Sequence, residues 1–234
     1  MTSTDQKILS ISLIIPTLNE ELAIGPCLDH LPKEDGVEIL VVDGGSTDRT
    51  IQEIEARGLR ALCSRPGRGS QQHVGAKASS GDILLFLHCD TRLPQDFIDQ
   101  ILVTLQQPKV AAGAFRLAID ACDWRFRWIE AGVQLRSTFC SLPYGDQALF
   151  MARKTYLAVG GFPDQPIMED VTLVKQLRQH GRVAIAPAQV ITSARRWQRH
   201  GLIKTTLINQ LMLLGRLAGI SPHQLAGWYY KERK

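Results

Sequence analysis

Between residues 11 and 87 the chain alternates short apolar runs with segments of helical period, and no other feature constrains its fold as much. Residues 11–15, 37–42, 59–64 and 82–87 read as strands, the first closed by Pro16. Between them lie three predicted helices: residues 20–31, a segment capped by Ser46 or Thr47 that runs to Arg57, and a small-residue stretch ending near Ala78. In the first of these, Leu22, Ile24, Cys27, Leu28 and Leu31 form the apolar side. Strands and helices in strict alternation imply right-handed crossovers. The predicted class is α/β, with a mostly parallel central sheet flanked by helices.

The second half is less regular. Helices are predicted over 94–107, 124–140, 169–180, 202–218 and 222–230, and strands over 111–119, 148–152 and 183–186. In the 124–140 helix, Trp124, Trp128, Leu135 and Phe139 share one stripe, which suits a core-facing side more often than a membrane-facing one. No linker or repeat divides the chain. The expected organisation is a flexible N-terminus over 1–7, one domain over 8–200, and a C-terminal helical extension over 201–234, with a disordered tail from Lys231.

Composition narrows the partners. Of 234 residues, 44% are hydrophobic and 21% charged, which fits a folded globular chain. The net charge of +4 suits an anionic small molecule or an acidic membrane surface and is too weak to argue for nucleic acid. Five scattered cysteines without a CxxC spacing indicate neither a disulfide framework nor a zinc site, so a reducing cytoplasm is the expected home. No run reaches the ~18–20 apolar residues of a spanning helix. Any membrane contact is therefore expected to be peripheral, at the inner face.

Acids end the apolar runs, where open α/β sheets collect ligands. Asp43 precedes the turn Gly44-Gly45-Ser46-Thr47-Asp48, where its carboxylate can accept bonds from a base or ribose. An Asx turn suits the same position, but Asp48 already serves as a cap, which leaves Asp43 free. Asp90 closes His88-Cys89-Asp90, and a hard oxygen ligand there suits Mg²⁺ or Mn²⁺. Strand alternation would put His88 and Asp90 on one side and Cys89 on the other; a helix cap and a core histidine are the plainer alternatives. Glu169-Asp170 opens a helix, where acids suit the dipole and one of them can act as a general base. Arg195-Arg196-Trp197 follows the last strand, and guanidinium groups there can hold a diphosphate. Arg65, Arg68 and Lys77 form an earlier basic group near the nucleotide end.

Taken together, Pro16-Thr17-Leu18-Asn19-Glu20, Val42-Asp43-Gly44-Gly45-Ser46-Thr47-Asp48, Asp90 and Glu169-Asp170 resemble the successive signatures of inverting family 2 glycosyltransferases of the GT-A fold, over about residues 8–200. The strings Gly81 to Thr91 and Tyr144-Gly145-Asp146-Gln147 are similar to a bacterial subgroup labelled arsenosugar-biosynthesis or radical-SAM/selenodomain-associated glycosyltransferases. The resemblance implies sugar transfer from a nucleotide-diphosphate donor to an acceptor hydroxyl, on a small molecule or a lipid. It implies that Pro16, Thr17, Glu20, Asp43 and Arg68 form the nucleotide side, that Asp90 binds Mg²⁺ or Mn²⁺, and that Asp170 is the base with Glu169 beside it. Arg195 and Arg196 would bind the diphosphate, with Asp146 and Trp197 on the acceptor side. The chain departs from the pattern in three places: His88 replaces the first acid of the DxD-type motif, Gly44 replaces an acid that often follows Asp43, and the Gln that precedes the RW-type element of processive relatives is missing, so a non-processive enzyme is expected. A sugar nucleotidyltransferase and a non-catalytic nucleotide-sugar binding protein are the alternatives. The former lacks support because no Gly-rich phosphate loop follows the first strand.

Overall fold

The structure is a computed structural model and describes residues 9–31, 34–139 and 141–231. The expected flexible segment 1–7, Cys140, residues 232–234 of the tail and the side chain of Phe139 lie outside the described residues.

The first half follows the alternation: β1 (Ile11–Thr17), α1 (Ile24–Asp29), β2 (Val37–Asp43), α2 (Thr50–Glu55), β3 (Ala61–Cys63), α3 (Arg68–Ala78) and β4 (Ile83–Phe86). All seven residues of β1 are buried, as expected for a central strand covered on both faces. Pro16 does not close β1. The strand runs on to Thr17 against β2, because β4 stops at the level of Ile14 and no neighbour there asks for the amide that Pro16 lacks.

Both α1 and α2 start later than the sequence predicts, and for one reason. The amides of Glu20 and Glu21 donate to Thr50 Oγ1 (2.8 Å) and Asp48 Oδ2 (3.2 Å), and Thr47 N donates to Asn19 Oδ1 (2.9 Å). These bonds lace the loop after β1 to the loop after β2, so neither segment can enter a helix earlier. Leu22, placed on the apolar side by its spacing, falls in this loop and is 78% exposed.

The rest of the chain contributes β5 (Thr91–Arg92), α4 (Phe97–Gln106), β6 (Val110–Asp120), α5 (Arg125–Phe139), a 3-10 turn at Gly145–Gln147, β7 (Phe150–Ala152), α6 (Arg153–Ala158), α7 (Glu169–Leu177), β8 (Arg182–Ser193), α8 (Arg195–His200), α9 (Leu202–Leu217) and α10 (Pro222–Lys231). The eight strands are ordered β3-β2-β1-β4-β7-β6-β8-β5. Pairing is parallel from β3 to β4 and again between β6 and β8; it is antiparallel where β7 enters and where β5 caps β8. Strand β8 extends well beyond residues 183–186 because a register shift in β6 between Ala114 and Arg116 absorbs the part of β8 that contains Pro187.

Two buried clusters fill the two faces of the sheet. The predicted core stripe of α5 faces the other way: Trp124, Trp128 and Leu135 are 68%, 72% and 62% exposed, while Phe126, Ile129 and Val133 pack on the core. A third, small cluster joins Met212 of α9 and Leu225 and Ala226 of α10 to Ile167, just before α7.

Candidate active site

The acids singled out in the sequence reach one edge of the sheet by different routes. Asp43 ends β2 in register with Thr17, and its side chain is turned into the loop that follows. Its Oδ2 accepts from Gly45 N (2.8 Å) and Ser46 N (2.9 Å), and Ser46 Oγ donates to Oδ1 (2.5 Å). Asp43 is therefore not free: it closes an Asx turn, and Asp48 makes a second one by accepting from Thr50 N (3.0 Å). Beneath both loops, buried Gln71 of α3 donates from Nε2 to Thr17 O (2.6 Å) and Val42 O (2.9 Å), which locks the ends of β1 and β2 together. Pro16 and Thr17 are buried in this wall.

Beyond β4 the chain leaves the strand, so His88, Cys89 and Asp90 occupy a loop and turn rather than alternating strand positions. Asp90 faces Arg195 at the start of α8, whose Nη2 lies 3.9 Å from Asp90 Oδ2 and donates to Glu20 Oε2 at 2.7 Å. Arg195 thus bridges the two halves of the sheet. Burial pushes the Asp90 carboxyl above the usual carboxylate range, and the Arg195 guanidinium offsets part of that.

His88 turns toward a different set of groups. Its Nε2 is buried without a hydrogen-bond partner within the protein, and a Cβ on Gly145 would lie 3.4 Å from it. Burial, with the charges of Arg68 and Arg196 adding to it, pushes His88 down to about 3, so the ring is neutral at physiological pH. The amide of Gly145 donates to Asp170 Oδ2 (2.8 Å), while Asp170 Oδ1 accepts from Val171 N (2.7 Å). Next to Asp170, Glu169 is buried and accepts from Arg68 Nε at 2.8 Å. Glu169 is the principal cause of the raised Arg68 pKa, and Asp170 and Tyr229 also act on it. Arg68, expected at the nucleotide end, therefore couples α3 to the carboxylate pair that opens α7.

The turn that holds Asp170 is itself tied to its neighbours. Gln147 accepts from Ser137 Oγ (2.7 Å) and Tyr144 N (3.2 Å) and donates to Phe115 O (2.9 Å), pinning the 3-10 turn to α5 and β6. On this turn Asp146 Oδ1 is buried and unpartnered, and burial raises its pKa against the opposing pull of Arg136. Arg136 stacks 3.6 Å over the Tyr144 ring.

Arg196 and Trp197 part company from Arg195. Arg196 Nη2 donates to Asn209 Oδ1 (2.8 Å) and Tyr229 OH (2.5 Å), so it is tied to α9 and α10, with its charge felt at His88 and Asp146. Trp197, expected on the acceptor side, is only 9% exposed and meets Phe126 edge-on with ring centroids 6.0 Å apart. Its indole belongs to the core under α5. Arg136, Tyr144 and Tyr229 were missed as site residues. Tyr144 belongs to the Tyr144-Gly145-Asp146-Gln147 string, whereas helix periodicity carries no signal for Arg136 or Tyr229.

Among the described residues no three His, Cys, Asp or Glu side chains cluster as a self-sufficient metal site. Asp90 offers one hard oxygen donor, which fits a divalent ion whose other ligands are diphosphate oxygens and water.

The eight-stranded sheet, with acids and arginines beyond the carboxyl ends of its strands, has the GT-A glycosyltransferase fold. The model of glycosyl transferase family 2 matches residues 12–162, and the chain belongs to that family. Glucosyl-3-phosphoglycerate synthase of Mycobacterium tuberculosis is 37% identical over 93 residues, 35% of this chain and 29% of that protein. Beta-monoglucosyldiacylglycerol synthase of a Synechocystis strain is 26% identical over 196 residues, 73% of this chain and 40% of that protein. The chain thus spans about three tenths of the first curated relatives. Two solved structures share the GT-A fold: a Pyrobaculum calidifontis mannosyltransferase with GDP-Man and Mn²⁺ (TM-score 0.62, 21% identity, 80% of this chain and 57% of that one) and the M. tuberculosis synthase with Mn²⁺, UDP and its product (0.59, 23%, 77% and 70%).

Proposed function

We propose that this chain is an inverting, non-processive glycosyltransferase that moves a sugar from a nucleotide-diphosphate donor to an acceptor hydroxyl. The observation that carries the reading is Asp170: its carboxylate is aimed by the Gly145 amide and stands beside the Arg68–Glu169 pair. In the reaction Asp170 takes the proton of the acceptor hydroxyl as that oxygen forms its bond to the anomeric carbon. On the opposite face the bond from carbon to phosphate oxygen breaks, its electron pair leaves with the nucleoside diphosphate, and the configuration inverts. Arg195 meets the growing charge on the diphosphate, with Arg196 nearer the acceptor. The loops laced around Asp43, Pro16, Thr17 and Glu20 hold the nucleoside mainly by shape and backbone groups, since Asp43 is engaged in its own turn. Mg²⁺ or Mn²⁺, when bound, would neutralise charge on the diphosphate, and Asp90 is the residue that would hold it.

The rest of the assignment is also proposed. Residues 8–200 form the transferase unit and 201–234 a helical extension that reaches the site through Tyr229. Asp146 lines the acceptor side. The Gly81–Thr91 and Tyr144–Gln147 strings support membership in the arsenosugar or radical-SAM-associated subgroup. Free Cys27, Cys63, Cys89 and Cys122 support a cytoplasmic location. The M. tuberculosis relative is named for a glucosyl phosphoglycerate and the Synechocystis relative for a glycolipid, so the proposal covers both a small-molecule and a lipid-type acceptor.

The test is release of free nucleoside diphosphate from a panel of donors, with and without Mn²⁺. Asp170→Asn is expected to slow transfer about a hundred- to ten-thousand-fold while donor binding persists. Near-normal transfer by that variant would remove Asp170 as the base. Release of pyrophosphate instead would favour a nucleotidyltransferase, and binding without turnover would favour a binding protein.

A further inference from the structure

Helix α9 has apolar residues on two sides. Thr205, Met212 and Leu213 are buried, yet Ile203, Leu207, Leu211, Leu214 and Leu217 are 69%, 57%, 61%, 59% and 48% exposed. Their spacings of four, four, three and three place them on one outward stripe. The outward stripe of α5 lies alongside: Trp124 and Trp128 face Ile203 and Leu207 across an open groove of ≈ 490 Å³. Single exposed leucines need no explanation, but two adjoining helical stripes form a contiguous apolar surface.

Along α9 and its flanks the charge is one-sided, whereas on the α5 side Arg125 and Arg127 are paired with Asp123 and Glu130. From residue 195 to residue 231 the sequence contains no Asp or Glu, while Arg195, Arg196, Arg199, Lys204, Arg216 and Lys231 are all cations. Arg195 and Arg196 serve the site. Lys204 is exposed and, seven residues before Leu211 and three before Leu207, shares the outward stripe. Exposed tryptophans and leucines beside a segment devoid of acids complement an anionic lipid surface, where apolar side chains enter the acyl boundary and cations meet headgroups.

We infer that the outward faces of α5 and α9 dock this protein on an anionic lipid bilayer, with Trp124, Trp128, Leu207 and Leu211 as the inserting residues. Among the described residues no helix is long and apolar enough to cross a membrane, so the contact is peripheral. If the acceptor is a lipid, as proposed above, the same contact brings it to α5, whose Arg136 adjoins Tyr144 and Asp146 of the site.

The experiment is flotation of the purified full chain with phosphatidylcholine vesicles and with vesicles in which about a third of the lipid is phosphatidylglycerol. Binding is expected only with the anionic vesicles, and it should weaken as salt is raised. The double variant Trp128→Ser/Leu207→Ser should bind at least about tenfold more weakly and Lys204→Gln about fivefold more weakly, the double variant with unchanged thermal melting because its side chains are exposed. Failure to float, equal binding to neutral vesicles, or undiminished binding by the double variant would each overturn the proposal. So would light scattering that shows a stable dimer which the double variant splits, since a second copy would then cover the face. Nucleoside diphosphate release from the soluble donor is read separately on the same samples, so a native chain that turns over donor but does not float refutes the docking surface and leaves the enzymatic reading standing.

Discussion

At residue 88 the chain has an imidazole where its family resemblance leads one to expect a carboxylate, and the surroundings make sense of the exchange. Nε2 is turned toward Gly145 and the Asp170 side, with Arg68 and Arg196 close enough to repel a charged ring. A carboxylate at 88 would add a further negative charge to a group that already holds Asp146, Glu169 and Asp170. The neutral ring instead leaves Asp90 as the one acid of the His88-Cys89-Asp90 segment, and it faces Arg195 together with Glu20. Asp146 bears the consequence of such crowding. Its carboxyl is raised by burial, so the folded protein holds that proton more tightly than the unfolded chain does. Its contribution to stability is then fully present below the unfolded value of ~3.9 and is lost as pH rises through the folded value. Asp146→Asn is expected to raise the melting temperature at pH 7, by about 2–4 °C for each kcal/mol relieved, and to leave it unchanged near pH 3.5. A variant that melts lower at pH 7 would mean that the Asp146 charge is paired after all.

At the scale of elements, the strands were legible because burial on both faces writes them as continuous apolar runs, as in β1. Helix starts were not, because the amides of Glu20, Glu21 and Thr47 bond across loops that are far apart in sequence. The same blindness affected the site. Asp90, Glu169 and Asp170 carry their signal in local strings, whereas the Arg68–Glu169 pair joins residues 101 positions apart. The α5 stripe shows a limit of another kind: periodicity marks an apolar side without saying whether protein lies against it, and here the opposite side took the core. The small residues of α3 do have a legible purpose. A Cβ on Gly75 would come within 2.5 Å of Ile14 Cγ2 and 3.0 Å of Val42 Cγ2, so the helix lies directly on β1 and β2. Gly75→Val is expected to cost about 1–3 kcal/mol or more through overpacking. It should also weaken donor binding, because Gln71 on the same helix holds the strand ends. Chemical denaturation and nucleotide titration measure the two effects separately, and a variant of normal stability would show that α3 can lift off the sheet without cost.

Across the whole molecule, the proposed site is a joint between two halves of one sheet. The parallel half supplies Asp43, Glu20 and Asp90, and the mixed half supplies Gly145, Asp170 and Arg195. Among the polar contacts that cross this joint are Arg195 with Glu20 and Arg68 with Glu169, each with a partly exposed guanidinium, so the joint is only moderately tight without ligand. A donor that touches both sides should therefore stabilise the fold well beyond its own footprint. With nucleoside diphosphate at a hundred times its dissociation constant the gain is about 2.7 kcal/mol, or roughly 5–10 °C in melting temperature for a chain of this size. Because Asp90 is the one acid proposed to hold the ion, Mn²⁺ without nucleotide should shift melting little, and the two together should shift it more than the sum of each. Asp90→Asn should remove that synergy and retain the shift from nucleotide alone. If thermal melts of the variant show the same synergy as the native chain, the ion is held elsewhere and Asp90 serves Arg195 alone.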